Sequence, residues 1–286
     1  MPYEAEISRA NPTAFFFVLD QSGSMMETIA GGNNAKSAML ATVVNRILND
    51  LVIRCTKGED VANYFEIGLI GYGNDALGAS GVGAVFGGAL AGRDVVPIAT
   101  LADHPIRIEK RKKKVDDGTG VLIDMDVEFP VWLEPIASSN TPMREAMSYT
   151  FQLVADWVTQ HPNSFPPIVI HVTDGAPTDG DPRQQAEALR GLSTQDGNVL
   201  VFNLHLSAAG GSAILFPSGS QALPDDYARL LFDMSSEMPT KWMALAADSI
   251  GMKIQPKART FVFNADLTAM VRFLEIGTRQ PTQITT

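Results

Sequence analysis

Ala14-Phe15-Phe16-Phe17-Val18-Leu19-Asp20-Gln21-Ser22-Gly23-Ser24 is the stretch on which the reading of the fold turns. An apolar run without polar alternation describes a strand buried on both faces, the habit of parallel sheets covered by helices. The run stops at an acid, and a small polar loop follows. Four later segments repeat the theme: Phe65–Tyr72, Ile168–Val172, Val199–Leu206 and Arg259–Phe263. Between them lie stretches of helical spacing. Lys36–Arg54 places Met39, Val43, Ile47, Leu48 and Leu51 three and four apart, and Pro142–Gln160 does so with Met143, Met147, Phe151, Val154 and Val158. Shorter helices are expected over Pro182–Leu192 behind Asp181 as N-cap, over Asp225–Met234 and over Asp266–Ile276. This alternation predicts one α/β domain with a doubly wound, mostly parallel central sheet flanked by helices.

The core of that domain is expected from about Ala14 to Ile276, with a flexible tail over 277–286. Gly73–Val131 breaks the rhythm and reads as an insertion. Within it, Ile123, Met125, Val127 and Phe129 alternate with Asp124, Asp126 and Glu128, the period of a strand. The preceding Ile106–Lys114 run is basic, and Asp116-Asp117-Gly118-Thr119-Gly120 supplies turn chemistry, so a β-hairpin is predicted. Its acids face the Lys110–Lys114 run, and cross-strand pairing would consume that charge.

Composition narrows the function. The 286 residues carry 22 Lys+Arg against 32 Asp+Glu, a formal charge of −10, which argues against a nucleic-acid protein held by a general phosphate field. One cysteine, Cys55, excludes an intramolecular disulfide framework and an all-Cys zinc site. Of the four histidines, His171 and His205 sit inside apolar strands and read as core or sheet-end residues, while His104 and His161 read as loop residues. Neither of the longest uncharged stretches, Ala76–Gly92 and Gly197–Pro224, is a continuous apolar span, so no membrane segment is expected. The N-terminus has no basic region followed by an apolar one, and with a lone thiol this predicts a soluble, cytoplasmic protein.

In open α/β sheets ligands bind at the carboxyl ends of the strands. Asp20, Ser22 and Ser24 follow the first strand, Asp174 follows the Ile168–Val172 strand, and Thr141 opens the long middle helix. Each has an ordinary structural reading: a turn at Ser22-Gly23-Ser24, an N-cap at Thr141 before Pro142, turn chemistry at Asp174-Gly175. Their joint occurrence at neighbouring strand ends points instead to one site of five oxygen side chains.

These residues resemble the von Willebrand factor A domain family, whose metal-ion-dependent adhesion site is read from Asp-x-Ser-x-Ser, a separate Thr and a separate Asp. Asp20, Ser22, Ser24, Thr141 and Asp174 occupy all five positions, while Gly73–Val131 lies outside the resemblance. Bacterial intracellular members, including the tellurium-resistance type, look most similar. The resemblance implies a Rossmann-like sheet with one antiparallel edge strand, and Mg²⁺ at the five residues, with Mn²⁺ or Ca²⁺ as substitutes. Ser22 and Ser24 suit direct ligation, whereas Asp20 and Asp174 act largely through water and leave the ion electrophilic. A partner protein's Asp or Glu then completes the shell. The function so implied is non-enzymatic: a Mg²⁺-dependent interaction adaptor in a bacterial stress-response or signalling complex.

Two alternatives are weighed against it. One is a Mg²⁺-dependent phosphate-processing enzyme using Asp20; its usual second carboxylate two residues on is replaced by Ser22. The other is a structural assembly subunit whose site is filled by a neighbour. A Gly-x-Ser-x-Gly nucleophile elbow and a Walker loop are both absent, and Gly71–Ala76 lacks the last glycine of a dinucleotide fingerprint.

Overall fold

The computed structural model describes residues 2–28, 33–116, 122–206, 212–251 and 253–278. Strand β1 (Thr13–Asp20) is buried at every position, which is why its sequence carries no polar alternation. Its pleat divides the core: Phe15, Phe17 and Leu19 face one apolar cluster, Ala14, Phe16 and Val18 the other. A short 3₁₀ turn at Gly23–Met26 leads toward helix α1 (Lys36–Cys55). The helix buries Leu40, Val43, Val44, Ile47, Leu48 and Leu51, while Met39 is only partly covered. Strands β2 (Thr56–Lys57) and β3 (Asp60–Val61) form a small antiparallel ribbon. They precede β4 (Phe65–Tyr72), which runs parallel to β1 from Thr13↔Phe65 to Asp20↔Tyr72. Gly68 lies opposite Phe16 in this register, and a Cβ there would come within 2.6 Å of the Phe16 ring.

The segment expected as an insertion contributes to the sheet. Strands β5 (Val82–Ala84) and β6 (Val96–Pro97) both pair antiparallel with β4, and helix α2 (Ile98–Asp103) follows. Strands β7 (Arg107–Asp116) and β8 (Leu122–Val131) then form a separate hairpin. Its register sets Lys110 opposite Glu128, Lys112 opposite Asp126 and Lys114 opposite Asp124. On its other face Arg111 lies 3.5 Å from the Phe129 ring centroid. The predicted turn at 117–120 lies outside the described residues. The hairpin is tied down at its base by α1. Asn45 donates to Leu133 O at 2.9 Å, and its Oδ1 accepts from the Trp132 and Leu133 amides at 2.8 and 3.0 Å.

The second half supplies α3 (Met143–Gln160), β9 (Ile168–Thr173), α4 (Arg183–Gly191) and a ribbon of β10 (Ser193–Thr194) and β11 (Gly197–Asn198). After these come β12 (Leu200–Leu206), β13 (Ile214–Leu215), α5 (Asp226–Met234), α6 (Thr240–Ile250), β14 (Phe261–Ala265) and α7 (Leu267–Thr278). The part of the expected tail beyond Thr278 lies outside the described residues. Among the described residues, no helix is long and apolar enough to cross a membrane.

The main sheet has eight strands in the order β13-β14-β12-β9-β1-β4-β5, with β6 also on β4. The β14-β12-β9-β1-β4 pairs are parallel; β13, β5 and β6 are antiparallel. The expectation of a doubly wound, mostly parallel sheet with one antiparallel edge is therefore corrected: the sheet is mixed, and both edges are antiparallel. The reason is length. Strands of two or three residues, such as Val82-Gly83-Ala84 and Val96-Pro97, carry too little apolar pattern to be read from sequence.

One polar chain crosses the interior. Tyr72 Oη donates to His171 Nε2 at 2.8 Å, reaching across β1, and His171 Nδ1 donates to Asn203 Oδ1 at 2.7 Å. Asn203 Nδ2 donates to Ser235 Oγ at 2.9 Å, which donates to Leu231 O at 2.7 Å. The chain is satisfied with His171 neutral, and burial favours that form, pushing its pKa down to about 4 despite the opposing Asn203 bond. A depressed histidine contributes stability that is present above its unfolded pKa near 6.5 and lost as pH falls toward 4, worth roughly 3 kcal/mol. His205 acts in the same sense, and Asp20, described below, in the opposite one, so the whole-protein profile mixes all three. His171→Gln should lower stability at pH 7.5 but narrow the gap to wild type between pH 6.5 and 4, as urea unfolding midpoints at each pH would show.

Candidate functional site

The site lies where the parallel strands end. Leu19 pairs with Val172, so the following residues, Asp20 and Thr173, stand side by side on one face. Asp20 is 1% exposed. Its Oδ1 accepts from the Ser22 amide and its Oδ2 from Thr173 Oγ1, both at 2.8 Å. Burial raises its pKa to about 6; the Ser22 and Thr173 bonds hold it down, and the nearby Asp174 charge pushes it further up. Among the described residues, no ion pair is made to this carboxylate.

Three loops are knitted together around it by backbone bonds. Gln21 N donates to Tyr72 O at 2.8 Å, Gly23 N to Ser139 O at 2.9 Å, Ser138 N to Gln21 O at 2.8 Å and Ser139 N to Gly73 O at 2.9 Å. Gly73 is required: its φ is +80°, and a Cβ would strike the Asn140 carbonyl oxygen. This knitting brings the loop before α3, and hence Thr141, to the Asp20 loop. The Thr141 backbone is locked reciprocally to Thr178, which donates from N to Thr141 O at 2.9 Å and accepts at Oγ1 from Thr141 N at 3.0 Å.

Thr141 does not cap α3. The helix begins at Met143 without a side-chain cap from its own flank, and Asp179 instead accepts from the Arg144 and Glu145 amides at 3.0 and 2.8 Å. The hydroxyl is thereby released from the local role its position suggests. A side chain at Gly175 would lie 3.7 Å from Ser24 Oγ and 3.8 Å from Thr141 Oγ1, so both hydroxyls border one small space. Ser22 Oγ and Ser24 Oγ are 3.1 Å apart, and Ser24 Oγ donates to Asp174 Oδ1 at 2.6 Å. The five residues singled out in the sequence thus lie at one place.

Sequence reasoning missed a sixth. Lys36 Nζ donates to Asp174 Oδ2 at 2.8 Å and to Glu27 Oε2 at 2.9 Å; the lysine side chain is 3% exposed and that of Asp174 0%. Burial pushes the Lys36 pKa down, but its bonds to Asp174 and Glu27 outweigh this and raise it. A signal was present: Lys36 precedes Leu40 by one helical turn, on the apolar face of α1. Thr173, Tyr227 and Asp179 were also missed. Tyr227 Oη lies 3.2 Å from Thr173 Oγ1, and nothing in the local sequence around it announces a contact fifty residues away.

The donor set fits a hard divalent cation. Octahedral Mg²⁺ with bonds of about 2.1 Å places neighbouring oxygens about 3 Å apart, which matches the Ser22–Ser24 spacing. Among the described residues there is no group of three or more His, Cys, Asp or Glu that could hold a metal; the set here has two carboxylates, and its other three donors are hydroxyls. Cys55 is buried away from the site, its thiol pushed up to about 12 by desolvation.

No protein-family model matches the chain, and no curated protein does. Among solved structures it resembles the pilus adhesin SpaC from Lactobacillus rhamnosus GG, at 13% identity and a TM-score of 0.51, over 96% of this chain and 31% of that one. The PilB minor pilin from Streptococcus sanguinis aligns at 12% identity and a TM-score of 0.44, over 93% of this chain and 60% of that one. The chain therefore spans about a third of the adhesin's length. These findings correct three expectations. Membership of the von Willebrand factor A family, with its Rossmann-like fold and adhesion-site motif, is not sustained: the fold likeness is to a pilus adhesin and no family model supports the assignment. The intracellular Mg²⁺ adaptor of a stress-response or signalling complex falls with it, as does the cytoplasmic location. Five matching positions in short loops carry too little information to specify a family when no family model matches the chain.

If Asp179 is the cap, Asp179→Ala should cost about 1–2 kcal/mol and Thr141→Ala much less in metal-free buffer. Urea unfolding of the two variants, each compared with wild type, measures both.

Proposed function

We propose that this chain is an adhesion or assembly module of a surface structure, one that binds a partner protein and performs no chemistry on it. The fold likeness to a pilus adhesin supports the setting. The observation that carries the binding reading is the convergence of Asp20, Ser22, Ser24, Thr141 and Asp174, with two hydroxyls spaced for adjacent corners of an octahedral shell. Mg²⁺ is the ion the donors suit, with Mn²⁺ or Ca²⁺ as substitutes. When bound, it would supply a fixed positive charge for a carboxylate of the partner. Ser22, Ser24 and Thr141 would offer neutral oxygens, and Asp20 and Asp174 the charge that retains the ion.

Two features favour binding over catalysis. Both oxygens of Asp20 are already engaged by Ser22 and Thr173, which suits a rigid charge more than a nucleophile. The donors are anchored by backbone bonds between three loops, so the site is held in shape before any ligand arrives. Asp179 and Thr178 extend that anchoring to Thr141.

Thermal unfolding tests the site. Millimolar Mg²⁺ should raise the midpoint of wild type, by the equivalent of about 3 kcal/mol at a hundredfold excess over Kd. Asp20→Ala and Asp174→Ala should lose that response while staying folded by circular dichroism. An equal rise in wild type and Asp20→Ala would show that the ion binds elsewhere. The setting is tested separately, by locating the protein on intact cells of its host with antibody: exclusively internal protein would refute a surface role.

A further inference from the structure

Lys36 places an ammonium group against the carboxylate that a cation would use. We propose that Lys36 is a tethered competitor for the divalent ion: it holds Asp174 together with Glu27 while the ion is absent and keeps Glu27 alone when the ion enters. The inference rests on the cation-site reading above and adds a regulatory element to it.

Three observations carry it. First, the ammonium is divided between two carboxylates of different character. Asp174 is fully buried at 2.8 Å, while Glu27 is 61% exposed at 2.9 Å. A lysine that loses Asp174 to an ion therefore keeps an acceptor already within reach. Second, the tether is short and built in: Lys36 N donates to Glu27 O at 2.8 Å, so the backbone holds the two residues together whichever carboxylate the ammonium prefers. Third, the lysine occupies a position that costs free energy to fill. It is the one charged residue among those α1 buries, at the start of the helix, where a positive charge opposes the helix dipole. Asp174 and Glu27 offset that placement.

The electrostatic consequence follows directly. Lys36 offsets one of the two charges of Asp174 and Glu27, so these three groups leave a single negative charge beside that of Asp20, where two would stand without the lysine. Two like charges in a shared, poorly solvated space repel strongly at short range. An arriving divalent cation must displace the ammonium or share Asp174 with it, and either lowers affinity. The site then responds to high ion concentrations and stays structurally satisfied at low ones, because the buried Asp174 is never left unpaired. Glu27 sets the balance: weakening it as an acceptor drives Lys36 back onto Asp174.

Isothermal titration with Mg²⁺ and Mn²⁺ tests this on the full chain. Lys36→Met should bind at least tenfold more tightly than wild type, and Glu27→Gln more weakly, with Glu27→Gln having no effect in the Lys36→Met background. Should Lys36→Met fail to fold, Lys36→Gln, which still donates a hydrogen bond to Asp174, replaces it with the same expected direction. Equal or weaker binding by the Lys36 variant, with binding still abolished by Asp20→Ala, would overturn the competitor role and leave the cation site standing. No binding by either wild type or the Lys36 variants would overturn both. In the wild type, the ¹⁵N resonance of the Lys36 ammonium should shift as Mg²⁺ saturates the site; an unmoved resonance at saturation would also sink the proposal.

Discussion

The carboxylate of Asp20 is the point from which the rest of this structure is organised. It ends a strand buried at every position, and its two oxygens join the Ser22 amide of its own loop to the Thr173 hydroxyl of the neighbouring strand. A carboxylate in that position is costly, as its raised pKa of about 6 records. The surrounding groups answer the cost with hydrogen bonds and do not supply a counter-ion to Asp20 itself. A positive charge brought to this place would offset that cost, which agrees with the cation site proposed from the convergence of Ser22, Ser24, Thr141 and Asp174 around it.

The neighbouring acid is treated differently. Asp174, also buried, has its charge answered by Lys36 from the start of α1. One site thus contains an acid with a counter-charge and an acid without one, a few residues from the same strand ends. Such asymmetry suits a site that must persist in two states. In the proposed exchange, the bonds among the Gln21–Gly23, Gly73 and Ser138–Ser139 loops would hold those donors in place while the lysine side chain moves.

The likeness to a pilus adhesin and the oxygen-built site bear on function from opposite directions. The first concerns the whole chain's path and speaks to the fold alone; the second concerns a few side chains and is where the proposed chemistry is argued. Function is argued from the site, and the fold only places it. The failure of the family assignment illustrates the distinction. Asp20, Ser22, Ser24, Thr141 and Asp174 are close together, as their motif required, yet proximity in short loops does not determine lineage or location.

How much could be read in advance differs by kind of residue. Phe15–Leu19 and Ile168–Val172 announce buried parallel strands because burial on both faces leaves no room for polar residues, a constraint that acts locally on each residue. The five oxygen side chains were legible because strand ends are marked by abrupt changes from apolar to polar. The sequence by itself determined the central strands, the long helices α1 and α3, and the acids and hydroxyls that end up together. Tertiary structure decided the rest. The edge strands β5, β6 and β13 exist because β4 and β14 offer unpaired edges, and two or three residues carry no pattern of their own. Asp179 caps a helix 34 and 35 residues away and so frees Thr141. Lys36 finds Asp174 across 138 residues of chain. Contacts of that range depend on how loops meet in space, and only the folded chain brings them together.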